Sequence, residues 1–147
     1  MSRKYNIRVY GILRNERNEI LVSDEFRMGM KMTKFPGGGL EEGEGLVDCL
    51  KREWMEELGL EIEIEKHFYT TDFYIKSAFN DAQLISIYYE VKLLKKAPVS
   101  TKTKAFDFDD ERDGAQIFRW LSMESMNEND FTFPIDQLVA KLIRANS

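Results

Sequence analysis

Three glutamates, Glu53, Glu56 and Glu57, fall at i, i+3 and i+4 in a stretch, Leu46 to Leu58, whose apolar residues recur with helical spacing. On a helical wheel with Leu46 at zero, Cys49 falls at about 300°, Leu50 at about 40° and Trp54 at about 80°. Glu53, Glu56 and Glu57 fall at about 340°, 280° and 20°, while Asp48, Lys51 and Arg52 lie on the other side. The three carboxylates thus continue the apolar stripe, where an ordinary amphipathic helix would turn them away from it. Unpaired charges in such a place repel one another and lose hydration. A divalent cation removes both penalties, and carboxylates without His or Cys suit hard cations, Mg2+ or Mn2+, over Zn2+. The alternative is that the glutamates emerge at the helix end and are solvated, the usual fate of a charge run. Before the helix stands Pro36-Gly37-Gly38-Gly39, whose glycines let backbone approach a ligand and whose free carbonyls can bind a metal. Glu44 adds a fourth carboxylate.

The segment FPGGGLEEGEGLVDCLKREWMEELGL, Phe35 to Leu60, resembles the Nudix box of the Nudix hydrolases. That pattern is G, five residues, E, seven residues, then R-E-U-x-E-E-x-G-U, with U bulky and aliphatic. Here Gly38 is followed by Glu44 and then by Arg52-Glu53-Trp54-Met55-Glu56-Glu57-Leu58-Gly59-Leu60, so all seven fixed positions match. Trp54 departs from the aliphatic rule, keeping the position apolar but adding volume, which bears on helix packing more than on chemistry. GILRNERNEILVS (Gly11 to Ser23), KFPGG (Lys34 to Gly38) and NENDFTFPIDQLVAKL (Asn127 to Leu142) are similar to the MutT-type branch.

The resemblance implies an α/β protein with the Nudix fold, an α/β/α sandwich with a mixed β-sheet between helices, as a single domain over residues 1–147. It implies metal-dependent attack of water on a nucleotide pyrophosphate. The expected substrate is a nucleoside triphosphate (an oxidised purine or CTP), cut to monophosphate plus pyrophosphate. The alternatives are an ADP-ribose, dinucleotide or nucleotide-sugar substrate, or a non-catalytic nucleotide sensor. By position, Glu56 and Glu57 match the main metal ligands, Glu53 a ligand that can also act as base, the Gly37 carbonyl a further ligand, and Arg52 the arginine that orients a box glutamate. Glu111 or Asp113 would supply an outlying metal ligand or base. Gly38, Gly39, Glu44 and Phe133 are candidates for substrate contacts, with a structural role for Glu44 weighed equally. Further aromatic candidates for stacking on a base are Tyr5, Phe73, Tyr74 and Tyr88.

Composition narrows the classes. One cysteine, Cys49, and one histidine, His67, exclude an internal disulfide and a His- or Cys-built metal cluster. Cys49 reads as core, and nothing pairs His67, expected at a strand start, with a nucleophile. Net charge of −5, from 21 basic and 26 acidic residues, argues against stable nucleic-acid binding and makes metal ions necessary to bring in a polyanion. Lys92, Lys95, Lys96, Lys102 and Lys104 could attract phosphates or simply face water. No apolar run reaches membrane-span length and the start, MSRKYNIRVYG, lacks a signal-peptide core, so a cytoplasmic monomer or homodimer is expected.

The positioning elements follow from pattern. Ile7, Val9, Gly11 and Leu13 alternate as in a strand, and Asn15 to Asn18 reads as a turn into Ile20-Leu21-Val22, together a β-hairpin. Pro36 to Gly39 reads as a break in structure, Leu46–Leu58 as a helix, and Gly59 as its left-handed cap. Leu60 to Tyr74 and Gln83 to Leu94 read as strands with a turn at Asn80-Asp81. Lys95 to Gly114 reads as a long polar loop that could act as a lid, and Gln116 to Leu121 as a strand. Pro134 opens a final helix with Ile135, Leu138, Val139 and Leu142 on one face.

Overall fold

A computed structural model describes residues 4–146, so the start of the basic N-terminal stretch, residues 1–3, lies outside the described residues. The chain forms β1 (Tyr5–Leu13), β2 (Glu19–Arg27), β3 (Met30–Lys34), β4 (Gly37–Gly39), α1 (Leu46–Leu58), β5 (Ile62–Thr70), β6 (Gln83–Leu93), β7 (Ala115–Ser122), a short 3-10 turn at Glu128–Asp130 and α2 (Pro134–Ala145). No helix among the described residues is long and apolar enough to cross a membrane.

Two compact units emerge. One contains the chain up to Ile12 together with Gly37–Ala97; the other contains Leu13–Pro36 and the chain from Pro98 onward. The first unit holds a four-stranded sheet in the order β4-β1-β6-β5, with α1 packed on β4 and β5. Val9, Cys49, Leu50 and Trp54 are wholly buried there, and the Tyr10 and Tyr88 rings meet 5.2 Å apart. The second holds an antiparallel sheet in the order β3-β2-β7, with Ile20, Leu21, Val22 and Phe35 wholly buried. The Phe35 ring stacks on Phe131 at 4.6 Å, and Thr33 and Thr132 exchange hydrogen bonds of 2.8 and 3.1 Å, which ties the approach to α2 onto β3.

Four readings of the pattern need correction. The turn at Asn15–Asn18 forms, closed by Asn15 N–H donating to Glu19 O at 3.0 Å, but among the described pairings Arg14↔Ile20 is an isolated bridge. The two strands belong to different sheets, β1 between β4 and β6 and β2 between β3 and β7. Of Pro36 to Gly39 only Pro36 is a break, a bend between β3 and β4: the glycines form β4, with Val9↔Gly38 at the centre of its pairing to β1. The strand after α1 ends at Thr70, leaving Phe73 and Tyr74 in the connection to β6, where Asn80 Oδ1 accepts the Ala82 N–H at 2.9 Å in the expected turn. On α2 the buried stripe runs Ile135, Val139, Ala140, Ile143, with Leu138 and Leu142 only half-buried.

Candidate active site around the glycine strand and the acidic helix

The first unit brings together Gly38, Gly39, Glu44, Arg52, Glu53 and Glu56. Helix α1 starts at Gly45 without a side-chain cap and stops at Gly59, whose φ of +67° lets its N–H close on Met55 O at 3.0 Å. Cys49, Leu50 and Trp54 anchor its inner face. Strand β4 is glycine for steric reasons. At Gly37, with φ of +153°, a Cβ would collide with the Val9 carbonyl and the Tyr10 backbone. At Gly38 a Cβ would overlap the Glu53 carboxylate, with Oε1 at 2.6 Å, so this glycine is the seat on which Glu53 rests.

Arg52 is the hub. Its Nη2 and Nε donate to the two Glu44 carboxylate oxygens at 2.7 and 3.0 Å, a bidentate pair. Its Nη1 donates to Glu53 Oε1 at 3.0 Å and Glu56 Oε2 at 3.2 Å, and stands 3.6 Å from Glu41 Oε1. Nη2 also donates to the Gly39 carbonyl at 3.1 Å, tying helix to glycine strand. Hydrogen bonds from Arg52, then from the Glu41 N–H at 2.8 Å, hold the Glu44 carboxyl far below the usual range, at about 2. The same bond with Glu44 raises the Arg52 pKa further. Burial, then Glu44, pushes the Cys49 thiol up to about 12, and Cys49 is wholly buried, as expected of a core residue.

The charge of this cluster is unbalanced. One guanidinium meets the carboxylates of Glu41, Glu44, Glu53 and Glu56, and Glu57 follows on the same turn. The Glu53 side chain is 14% exposed and Glu56 58%, so the wheel placed Glu53 correctly but Glu56 sits at the wet rim. Glu57, like Glu53, is half-buried. The donor set, carboxylates beside a glycine backbone, is the hard-oxygen chemistry that Mg2+ or Mn2+ takes. Among the described residues no three His, Cys, Asp or Glu side chains form a ready-made metal cage, because Arg52 draws Glu44, Glu53 and Glu56 to itself. The residues fit the ion by donor chemistry and excess negative charge.

Other candidates have other places. Glu111 pairs with Lys31 at 3.0 Å, and Asp113 Oδ1 accepts the Met28 N–H at 2.7 Å, so each supports the second unit locally. Phe133 is half-buried at the start of α2. Tyr88 is core, whereas Tyr5, Phe73 and Tyr74 are exposed. His67 lies within β5, not at its start, and its Nε2 meets Thr70 Oγ1 at 2.7 Å. Lys102 pairs with Asp109 at 3.0 Å and Lys92 with Glu63 at 3.6 Å. The polar loop is fastened within its unit by Lys102 N–H to Phe118 O and Phe106 N–H to Asp24 Oδ2.

Two features escaped the sequence reading. Arg8, paired across from Gly39, brings a guanidinium to the glycine strand, its Nε donating to Tyr10 Oη at 2.6 Å; the alternation of apolar residues in β1 was the signal for its opposite face. In the second unit, β2 carries buried charge on both faces: Asp24 with Arg119 and Thr33, and Glu25 with Lys34 at 3.2 Å. Strand pattern alone gives such partners no signal, because they come from three separate strands.

Comparison with known proteins shows the family. The model of the NUDIX domain matches residues 4–142. The chain is 28% identical over 137 residues to the 8-oxo-dGTP diphosphatase of Escherichia coli (strain K12), covering 91% of this chain and 93% of that protein. Among solved structures, a NUDIX hydrolase from Nitrosomonas europaea matches with TM-score 0.72 at 18% identity, over 97% of this chain and 90% of that one. The MutT protein from Methanosarcina mazei Go1 matches with TM-score 0.70 at 19% identity, over 100% and 99%. At these identities the structures speak for the fold, and they agree with the α/β/α sandwich class expected from the sequence. The box geometry and the match over nearly the whole chain lead to one assignment: the chain belongs to the NUDIX domain family and is a Nudix hydrolase, similar to MutT-type members of it.

Proposed function

We propose that the chain acts as a single domain that hydrolyses a nucleoside triphosphate, an oxidised purine nucleotide or CTP, to the monophosphate and pyrophosphate, with Mg2+ (or Mn2+) held by the box. The observation that carries this reading is the Arg52 knot: one cation fixing several carboxylates beside a backbone of bare glycine. The name of the Escherichia coli relative, 8-oxo-dGTP diphosphatase, supports an oxidised purine within that class.

Glu53, Glu56, Glu57 and the Gly37 carbonyl would hold the ion. When bound, Mg2+ supplies positive charge to the diphosphate and acidifies water. The chain's own residues do the rest. Glu44 fixes the Arg52 guanidinium in one plane, and Arg52 in turn fixes Glu53 by its Oε1, which leaves Oε2 to accept a proton from the attacking water. Gly38 leaves room for the Glu53 carboxylate itself, and across from Gly39 Arg8 brings a cation to the same strand. Glu111 and Asp113 already serve Lys31 and the Met28 N–H, so the reading rests on the box alone.

The test is Mg2+-dependent hydrolysis across common and oxidised nucleoside triphosphates, ADP-ribose, NADH, dinucleoside polyphosphates and UDP-sugars, with products identified. The expected result is pyrophosphate plus monophosphate from one triphosphate class, reduced about a hundredfold or more in Glu56→Gln. Preference for ADP-ribose or a nucleotide sugar would replace the substrate. Nucleotide binding with no turnover in either protein would replace the enzyme with a sensor.

A further inference from the structure

Two adjacent residues of α1 rest on glycines of the neighbouring strands. Glu53 sits on Gly38 of β4, and Trp54 sits on Gly11 of β1. Val9 pairs with Gly38, and residues two apart on a strand share a face, so Val9, Gly11 and Gly38 all look toward α1. A Cβ at Gly11 would stand 2.8 Å from Trp54 Cζ2 and 3.0 Å from Cε2 and Nε1. Trp54 and Val9 are wholly buried, so the rigid ring has no open space to move into. A helix on a sheet can slide along it and roll upon it. Two notches, about 8 Å apart by strand rise and strand spacing, remove both freedoms.

We propose that Trp54 is a positioning residue for the reaction: its seat on Gly11 sets the register of α1 over β1 and β4 and thereby holds the Glu53 carboxylate on Gly38. This rests on the function proposed above for Glu53. The bulky residue that departs from the aliphatic rule of the box is thus matched by a glycine 43 positions upstream, a complementarity in volume rather than in charge. Its consequence is a pair of compensating substitutions. Gly11→Ala pushes the ring, and with it the helix, off the sheet. Trp54→Leu empties the seat and frees the helix. Together the two restore contact, because the added methyl fills part of the space the indole leaves.

The experiment measures kcat, KM, Mn2+ affinity by electron paramagnetic resonance, and the Gly38 amide resonance of the metal-free protein, in wild type, both single variants and the double variant. Each single variant is expected to lose about tenfold or more in kcat and in Mn2+ affinity, with KM within about threefold, and to displace the Gly38 resonance. The double variant is expected to recover all three toward wild type, whatever its melting temperature. Wild-type kcat and Mn2+ affinity in Gly11→Ala would overturn the proposal. So would a double variant no better than the singles, which would make the seat merely structural. If Gly11→Ala does not fold, the double variant must still exceed Trp54→Leu in kcat and Mn2+ affinity, or the proposal fails. If wild type neither hydrolyses nucleotides nor binds Mn2+, the proposed function falls on its own. The Gly38 resonance then decides the seat: displaced in the singles and restored in the double, it stands; otherwise it falls.

Discussion

Arg52 holds its neighbours so firmly that the pH dependence of stability should carry its signature. The Glu44 carboxyl is held at about 2 in the folded protein against an ordinary 4.5. A carboxyl depressed by folding contributes stability that is complete above its unfolded value and is lost as pH falls toward its folded one. Urea unfolding between pH 7 and pH 2 should therefore show Glu44→Gln less stable than wild type at neutral pH, with the gap closing between about 4.5 and 2. A gap independent of pH would mean that the ion pair is not its source. Cys49 gives the converse case on the same helix. Burial pushes its thiol up to about 12, and the thiolate is the reactive form. Native protein should resist iodoacetamide at pH 8 and react stoichiometrically once unfolded in urea, as mass spectrometry would show.

At the scale of elements, what the sequence made legible depended on how local the cause was. Helix α1 was readable to the residue because its spacing and its left-handed cap both lie within a few positions. That cap is testable alone. A Cβ at Gly59 meets nothing within 4 Å, so Gly59→Ala carries only the strain of φ +67° and should cost about 1 kcal/mol in urea unfolding. Gly37→Ala, which adds a collision with the Val9 carbonyl to its own strain, should cost more. Strand β4 was hidden for the same reason that it works: three glycines look like a break, and only the pairing with Arg8, Val9 and Tyr10 makes them a strand. The hairpin of β1 and β2 was overread because a good turn says nothing of which sheet each strand joins. The carboxylates were legible as an anomaly of type and spacing. The exposure of Glu56 was not, since it depends on where Arg52 and the sheet sit against the helix.

For the whole molecule, net charge of −5 is the constraint that a polyanionic substrate must overcome, and the box concentrates that negative charge. Each compact unit is assembled from two separated stretches of chain, so neither could be read as a block of sequence, although the box itself lies wholly in the first. Because a ligand that binds only the folded protein stabilises it by mass action, the proposed ion should reveal itself without any substrate. Mg2+ at a hundred times its dissociation constant adds about 2.7 kcal/mol. For a chain of 147 residues that raises Tm by about 5–10 °C. Scanning calorimetry with and without EDTA should show this rise in wild type. It should vanish in Glu53→Gln/Glu56→Gln/Glu57→Gln and persist in Glu111→Gln/Asp113→Asn, whose parent carboxylates already serve Lys31 and the Met28 N–H. If the second variant lost the rise and the first kept it, the ion would belong to the loop of the second unit and not to the acidic helix.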